Sequence, residues 1–388
     1  MSVIFDRPIG RLGTNSVKHD GAAGAFGSDD LIPMWIADMD FSAPGAITSA
    51  LLARALHPVY GYTLYPQSMY EALMNWLKKR HGWTIEQEWI VMSPGVVTSL
   101  YAAVQAVDCD SVIVQPPVYA PFYSCIASAG KKILKNPLKD ADGRYEIDFA
   151  GLERCAVDAG LMLLCSPHNP VGRVWTREQL SRILDIARRH ELVIVSDEIY
   201  ADLVYRPHAH TPLAMLSDDE DRIITAVSPG KAFNIAGLAL SALIVPNPAH
   251  RLALQKAFGR LHVQANNPFS IEAFEAAYRE GGAWLDALSV YLRQTLDFSR
   301  DYIAHHLSPI RLIEPEAGYL LWLDCRGLKL DDEELAKFFT LHAKVGLCAG
   351  TLFGIEGGGY MRMNIAAPRD TVQAALERIR HAMTEHLA

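Results

Sequence analysis

The chain has 388 residues, 50% hydrophobic and 21% charged, which is the profile of a globular protein long enough for two or three domains. Its formal net charge of −8 argues against nucleic acid or an anionic membrane surface as the main partner. The six cysteines (Cys109, Cys125, Cys155, Cys165, Cys325 and Cys348) show neither a CxxC pair nor ligand spacing, the opening MSVIFDRPIG has no long apolar core, and no apolar run reaches the ~18 residues of a membrane span, so a cytoplasmic enzyme is expected.

Residues 1–46 are rich in Gly, Pro and Asp, carry little periodicity and read as an extended arm. From Ile47 to Leu56 the spacing is helical. Ser68 to His81 follows, with Met69, Leu73, Trp76 and Leu77 on one face. Trp89 to Met92 reads as a short strand, and Ser93-Pro94-Gly95 then opens a helix through Val107. Further strands are expected at 112–115, 132–135, 161–165, 192–196, 223–227 and 242–245. Short, apolar and separated by helices, they predict a mostly parallel α/β sheet. Thr176 with Gln179 forms a capping box for a helix reaching His190. Helical spacing then dominates from Pro248 to about Leu307. Strands at 310–313, 318–324 and 360–364 and a closing helix from Thr371 predict a second, smaller α/β unit. The expected division is an arm over 1–46 joined to the small unit, a large domain over 47–285 and a small one over 286–388.

The chemistry-bearing residues cluster at strand ends. The apolar run Val193-Ile194-Val195-Ser196 ends in Asp197, and the run 223–227 delivers Ser228 and Lys231. A buried acid beside a buried amine suits pyridoxal phosphate (PLP) chemistry and also fits a structural ion pair. Gly95 with Val96 and Val97 offers free N–H groups at a helix start, an anion site by geometry. In Ser166-Pro167-His168-Asn169-Pro170, the following proline holds Asn169 extended; the alternative is a plain turn, with His168 a wall residue. Tyr119 after Pro116-Pro117-Val118 suits either stacking on a heteroaromatic ring or the core. Arg362, a lone cation in an apolar strand, pairs with an acid, meets solvent or grips a carboxylate. Five strand-end sites at one edge of a parallel sheet match where open α/β sheets bind ligands.

Taken in order, Gly95-Val96-Val97, Pro116-Pro117-Val118-Tyr119, the 167–173 run, Ser196-Asp197-Glu198-Ile199-Tyr200, the 228–238 run and Arg362-Met363-Asn364 resemble the fold-type I PLP enzymes, the aspartate aminotransferase superfamily. Within it, Trp35-Ile36-Ala37-Asp38-Met39-Asp40-Phe41, Gly61-Tyr62-Thr63 and Asn234-Ile235-Ala236-Gly237-Leu238 are similar to the cystathionine β-lyase (MalY/PatB-type C–S lyase) family. The likeness runs from Phe5 to the C-terminal helix.

That resemblance implies a PLP-dependent transferase-like fold with a seven-stranded sheet in the large domain. It implies Lys231 as the Schiff-base lysine and Asp197 as partner of the pyridine nitrogen, with Tyr119 stacked on the ring. It also implies Asn169 and Tyr200 at the phenolic oxygen, and Gly95, Val96, Val97 and Ser228 at the phosphate. Tyr62 is implied to reach the neighbouring subunit's phosphate, hence a homodimer with shared sites. Ala37, Asn169 and Arg362 are implied to hold the substrate. The activity implied is β-elimination from an S-substituted L-cysteine; the alternative is a class I/II aminotransferase. Three positions depart from the pattern. Tyr200 stands where the lyases usually have histidine, Gly230 and Ala232 replace Ser and Thr, and Ala239 stands where aminotransferases commonly carry a phosphate-binding arginine.

Overall fold

The computed structural model describes residues 5–217, 222–260, 262–263 and 266–386. Seven short strands form the main sheet: β1 (Ile90–Ser93), β2 (Ser111–Val114), β3 (Lys132–Lys135), β4 (Leu161–Cys165), β5 (Val193–Asp197), β6 (Ile223–Val227) and β7 (Ser241–Ile244). Their order is β1-β7-β6-β5-β4-β2-β3, and only β7 runs against its neighbours. β4, β5 and β6 are buried at every position, which is why they read as unbroken apolar runs.

Alternate strand residues face opposite layers. Val112, Leu163 and Val195 pack with the helices Val96–Ala106 and Pro248–Arg260. Ile113, Leu164 and Ile194 face the other layer, with Leu180, Ile183 and Leu184 of the helix Arg177–Arg189. The expected capping box is formed, with Gln179 N donating to Thr176 Oγ1 and Thr176 N to Gln179 Oε1. The sheet is thus covered on both faces, and its C-terminal edge is left to carry function.

The helices Pro268–Glu280 and Gly282–His306 lead to a second sheet. Its strands are β8 (Arg311–Ile313), β9 (Leu320–Asp324), β10 (Cys348–Ala349) and β11 (Tyr360–Asn364), all antiparallel, in the order β8-β9-β11-β10. The helix Arg369–His386 closes the chain.

The arm differs from its expected featureless course. It carries a helix over Ala22–Phe26, and Ile32–Pro33 pairs in parallel with Val345–Gly346. A two-residue strand has no internal periodicity, and its partner lies some three hundred residues away. The hairpin joining Lys139–Asp140 to Tyr145–Glu146 and the helices Pro121–Ser128, Phe149–Ala156 and Asp332–Lys337 also lie outside the expected elements.

Candidate active site

Two adjoining cavities of about 230 and 170 Å³ open at the C-terminal edge of the main sheet. Tyr119, Ile199 and Lys231 line both. Gly95, Val96, Val97 and Ser228 line the first. Ala37, Asn169, Asp197, Tyr200 and Arg362 line the second. The fold therefore gathers eleven of the twelve expected residues around one space. The exception is Tyr62, which is fully exposed and lines neither cavity.

Each position follows from its local chain. Asp197 ends β5, in register with Cys165 of β4 and Ala226 of β6, so its carboxylate leaves a fully apolar stretch. It is 3% exposed, and among the described residues its carboxylate takes a single hydrogen bond, from Ile199 N at 3.3 Å. Burial raises its pKa to about 7, against the pull of that hydrogen bond and of Lys231. Lys231 follows β6 after a short turn. Its Nζ donates to the Ala37 carbonyl at 2.7 Å. Burial, together with the nearby Arg362, lowers its pKa to about 8. An amine so tuned loses its proton near neutrality, as a general base requires.

Gly95 has φ +96° and ψ 153°, a conformation that favours glycine, and the helix Val96–Ala106 starts directly after it with no side-chain cap. Its first-turn residues line the first cavity, and the free amides of a helix start make an anion cradle there. Ser228 Oγ donates to Leu240 O at 3.0 Å and accepts from Gly230 N at 3.1 Å. Ala239, at the far wall, adopts φ +44° and brings no charge.

Arg362 is 5% exposed and points out of β11 across the second cavity. It donates to Asn169 Oδ1 at 3.2 Å, to Trp35 O at 2.9 Å and to Cys348 Sγ at 3.3 Å, and its guanidinium lies 4.8 Å above the Phe353 ring. Its Nε is buried with no hydrogen-bond partner among the described residues. Among the described residues the Tyr200 hydroxyl has no well-formed hydrogen bond either; it is buried beside Tyr319. His168 belongs to the turn and lines neither cavity; it is buried and bonded at Nε2 to Pro117 O, and burial lowers its pKa to about 4.

The motifs alone did not point to Ile199, Ala236 or Cys165 as cavity walls. Ile199 was within reach, because it lies two residues past Asp197 on the same turn; Cys165 reads simply as the end of a buried strand.

An acid and an amine share this space with an anion cradle, an aromatic face and a carboxylate-sized arginine. Such a site, at the edge of a parallel sheet, defines an enzyme class that holds a phosphorylated pyridine cofactor and an amino acid side by side. Residues 40–379 match the family model for aminotransferase class I and II, and the chain belongs to that family. It is 44% identical to the cystathionine β-lyase PatB of Bacillus subtilis over 385 residues, covering 98% of this chain and all of that one. It is 31% identical to the MalY protein of Escherichia coli, covering 98% of each. Among solved structures it resembles cystalysin of Treponema denticola, which contains pyridoxal 5′-phosphate, with a TM-score of 0.95, 33% identity and 98% of both chains covered.

Proposed function

We propose that the chain is a PLP-dependent carbon–sulfur β-lyase that converts an S-substituted L-cysteine and one water to a thiol-type product, pyruvate and ammonia. The observation that carries the reading is the single space shared by Lys231, Asp197 and Arg362.

The residues fit PLP. A carboxylate buried with one weak hydrogen bond calls for a cationic partner, which a protonated pyridine nitrogen supplies. The buried Tyr200 hydroxyl and the Asn169 side chain suit the phenolic oxygen. The amides at Gly95, Val96 and Val97, with Ser228, suit the phosphate. Tyr119 offers its ring as a stacking face. When bound, PLP supplies an electron-withdrawing ring that stabilises the electron pair left at Cα as its proton departs.

The protein's own residues carry the remaining work. Arg362 binds the substrate α-carboxylate, releasing part of its present hold on Asn169 and Trp35. Lys231 Nζ takes the Cα proton and later returns one to the departing sulfur. Asp197 keeps the ring nitrogen protonated from a dry strand end, where its charge acts at full strength. Ala37, beside Lys231, closes the substrate side.

An aminotransferase on the same fold is the second reading, favoured by Tyr200. Ala239 weighs against it. An enzyme that holds the amine form of its cofactor with no covalent link needs a strong phosphate anchor, and no cation stands there. Incubation with a panel of cysteine thioethers decides between them: pyruvate and ammonia are expected without any added keto acid, and product formed only with a keto acid present would establish the aminotransferase.

The proposed enzyme works in the cytoplasm as a homodimer, with Tyr62 reaching the partner's phosphate site. The exposed apolar stretch of Leu52, Leu56, Val59, Tyr60 and Leu64 around Tyr62 supports that assembly. The division into an arm, a large domain to 285 and a small domain from 286 is likewise proposed. Among the described residues no helix is long and apolar enough to cross a membrane.

A further inference from the structure

The segment from Met34 to Phe41 has no regular secondary structure, yet its carbonyls are almost all engaged. Asn364 N donates to Met34 O at 2.8 Å, and Arg362 Nη2 donates to Trp35 O at 2.9 Å. Asn364 Nδ2 donates to Ile36 O and Asp38 O, both at 2.6 Å. Lys231 Nζ and Tyr319 Oη donate to Ala37 O at 2.7 and 3.0 Å. Asn234 Nδ2 donates to Met39 O at 2.9 Å and Phe41 O at 2.8 Å, and its Oδ1 accepts from Met39 N at 2.9 Å.

Two asparagines dominate this pattern, and each sits at a fixed offset from a residue of the site. Asn364 is two residues past Arg362 on β11, so both side chains leave the same face and meet the same segment. Asn234 is three residues past Lys231, in the left-handed region at φ +57°. The segment thus spans the gap between the arginine and the lysine, tied down at both ends by amide side chains.

We propose that Asn234 and Asn364 are positioning residues that hold the 34–41 segment as a strut, fixing the Ala37 carbonyl against Lys231 Nζ and coupling the lysine to the occupancy of Arg362. The inference rests on the PLP reading of the site and adds to it. A carboxylate that takes the Arg362 Nη groups leaves the Trp35 carbonyl with only the weak bond that Cys348 Sγ donates at 3.2 Å. The change reaches Ala37 two residues on, because Ile36 and Asp38 on either side are held by a single Asn364 amide. Substrate capture at one end of the cavity is thereby registered at the base at the other.

Three substitutions test the strut in PLP-loaded protein. Asn364→Asp keeps the shape, the backbone bond to Met34 O and the acceptor for Ala366 N, which donates at 2.7 Å, but removes both side-chain bonds to the segment. Asn234→Asp does the same at the other end. Asn234→Gly deletes the amide while suiting the positive φ, so it remains informative if either aspartate variant fails to fold. Each folded variant is titrated from pH 6 to 10 by the visible band of the bound cofactor, with and without a carboxylate of substrate size that has no amine. In wild type the inert carboxylate is expected to shift the midpoint of the band. In the variants that shift should shrink or vanish, and the KM for a cysteine thioether should rise about tenfold, with a smaller fall in kcat. Variants that only unfold at lower temperature, with the carboxylate-induced shift and KM of wild type, overturn the strut. Loss of pyruvate formation by wild type would instead overturn the lyase reading and leave the band titration to be judged separately.

Discussion

Asp197 and Lys231 show how the site stores its chemistry in two groups that burial pushes toward neutrality. A carboxyl whose folded pKa lies above its unfolded value of about 4 weakens the fold as pH rises toward about 7, because the unfolded chain gives up its proton first. Asp197→Asn should therefore raise the melting temperature of cofactor-free protein at pH 8 and leave it nearly unchanged at pH 4; calorimetry at the two pH values checks this, and equal effects at both would show that the carboxyl is not held protonated. The same substitution should weaken PLP binding, since the cationic nitrogen loses its partner. Asp197→Ala in loaded enzyme should slow turnover at least about a hundredfold, roughly 3 kcal/mol on the barrier, with Asp197→Glu milder. Lys231→Ala should abolish lyase turnover altogether, and steady-state pyruvate release at the wild-type rate would remove the lysine from the mechanism. The placement of these two residues was legible from sequence because Asp197 ends one apolar run and Lys231 follows the turn after another, and both runs are buried strands. The engagement of the Trp35 and Ala37 carbonyls was not, because backbone acceptors leave no mark on side-chain pattern.

At the scale of elements, most of the sheet was open to reading. Strands buried on both faces appear as continuous apolar runs, and the Thr176–Gln179 box marks its helix directly. The hairpin Lys139–Asp140 with Tyr145–Glu146 escaped because each arm has two residues and most of its side chains are polar. The 166–173 turn shows what element boundaries do for the site. His168 N donates to Arg173 O and Gly172 N to His168 O, which closes the loop that presents Asn169. The buried Arg173 guanidinium pairs with Glu316, and Glu316 Oε2 accepts from Val174 N at 2.8 Å, so the loop is also fastened to the chain leading into β9. Gly172 has φ +70°, and a Cβ there would meet Pro315 Cβ at 2.6 Å. Gly172→Ala should cost about 2 kcal/mol and displace Asn169, seen as a lower unfolding midpoint together with weaker substrate binding. A variant with wild-type stability would mean the loop can yield without loss.

For the whole molecule, the outward-facing Tyr62 is the feature a single chain does not use. Mass measurement in solution should give a dimer, and Tyr62→Phe should loosen cofactor retention without lowering the melting temperature of the cofactor-free form. An active monomer would remove the shared-site arrangement. The proposed boundary at residue 285 falls within the first turn of the helix Gly282–His306, which therefore runs without a break from one unit into the other. Sequence pattern marked the whole stretch from Pro248 to about Leu307 as helical without separating this helix from the two before it, and spacing carries no mark of where one unit ends and the next begins.

The 34–41 segment also has a meaning in time. It is among the first parts of the chain to leave a ribosome, yet Asn234 Oδ1 and Asn364 Nδ2, which hold it, lie 195 and 328 residues downstream. Contacts of such separation close late, after their loop entropy has been met by the rest of the fold. The lysine seat at Ala37 can thus be completed only when β11 has been made. A nascent chain that ends before Tyr360 carries every residue assigned to the cofactor but lacks both Arg362 and Asn364, so the lysine's seat and the substrate's arginine arrive together on one late strand.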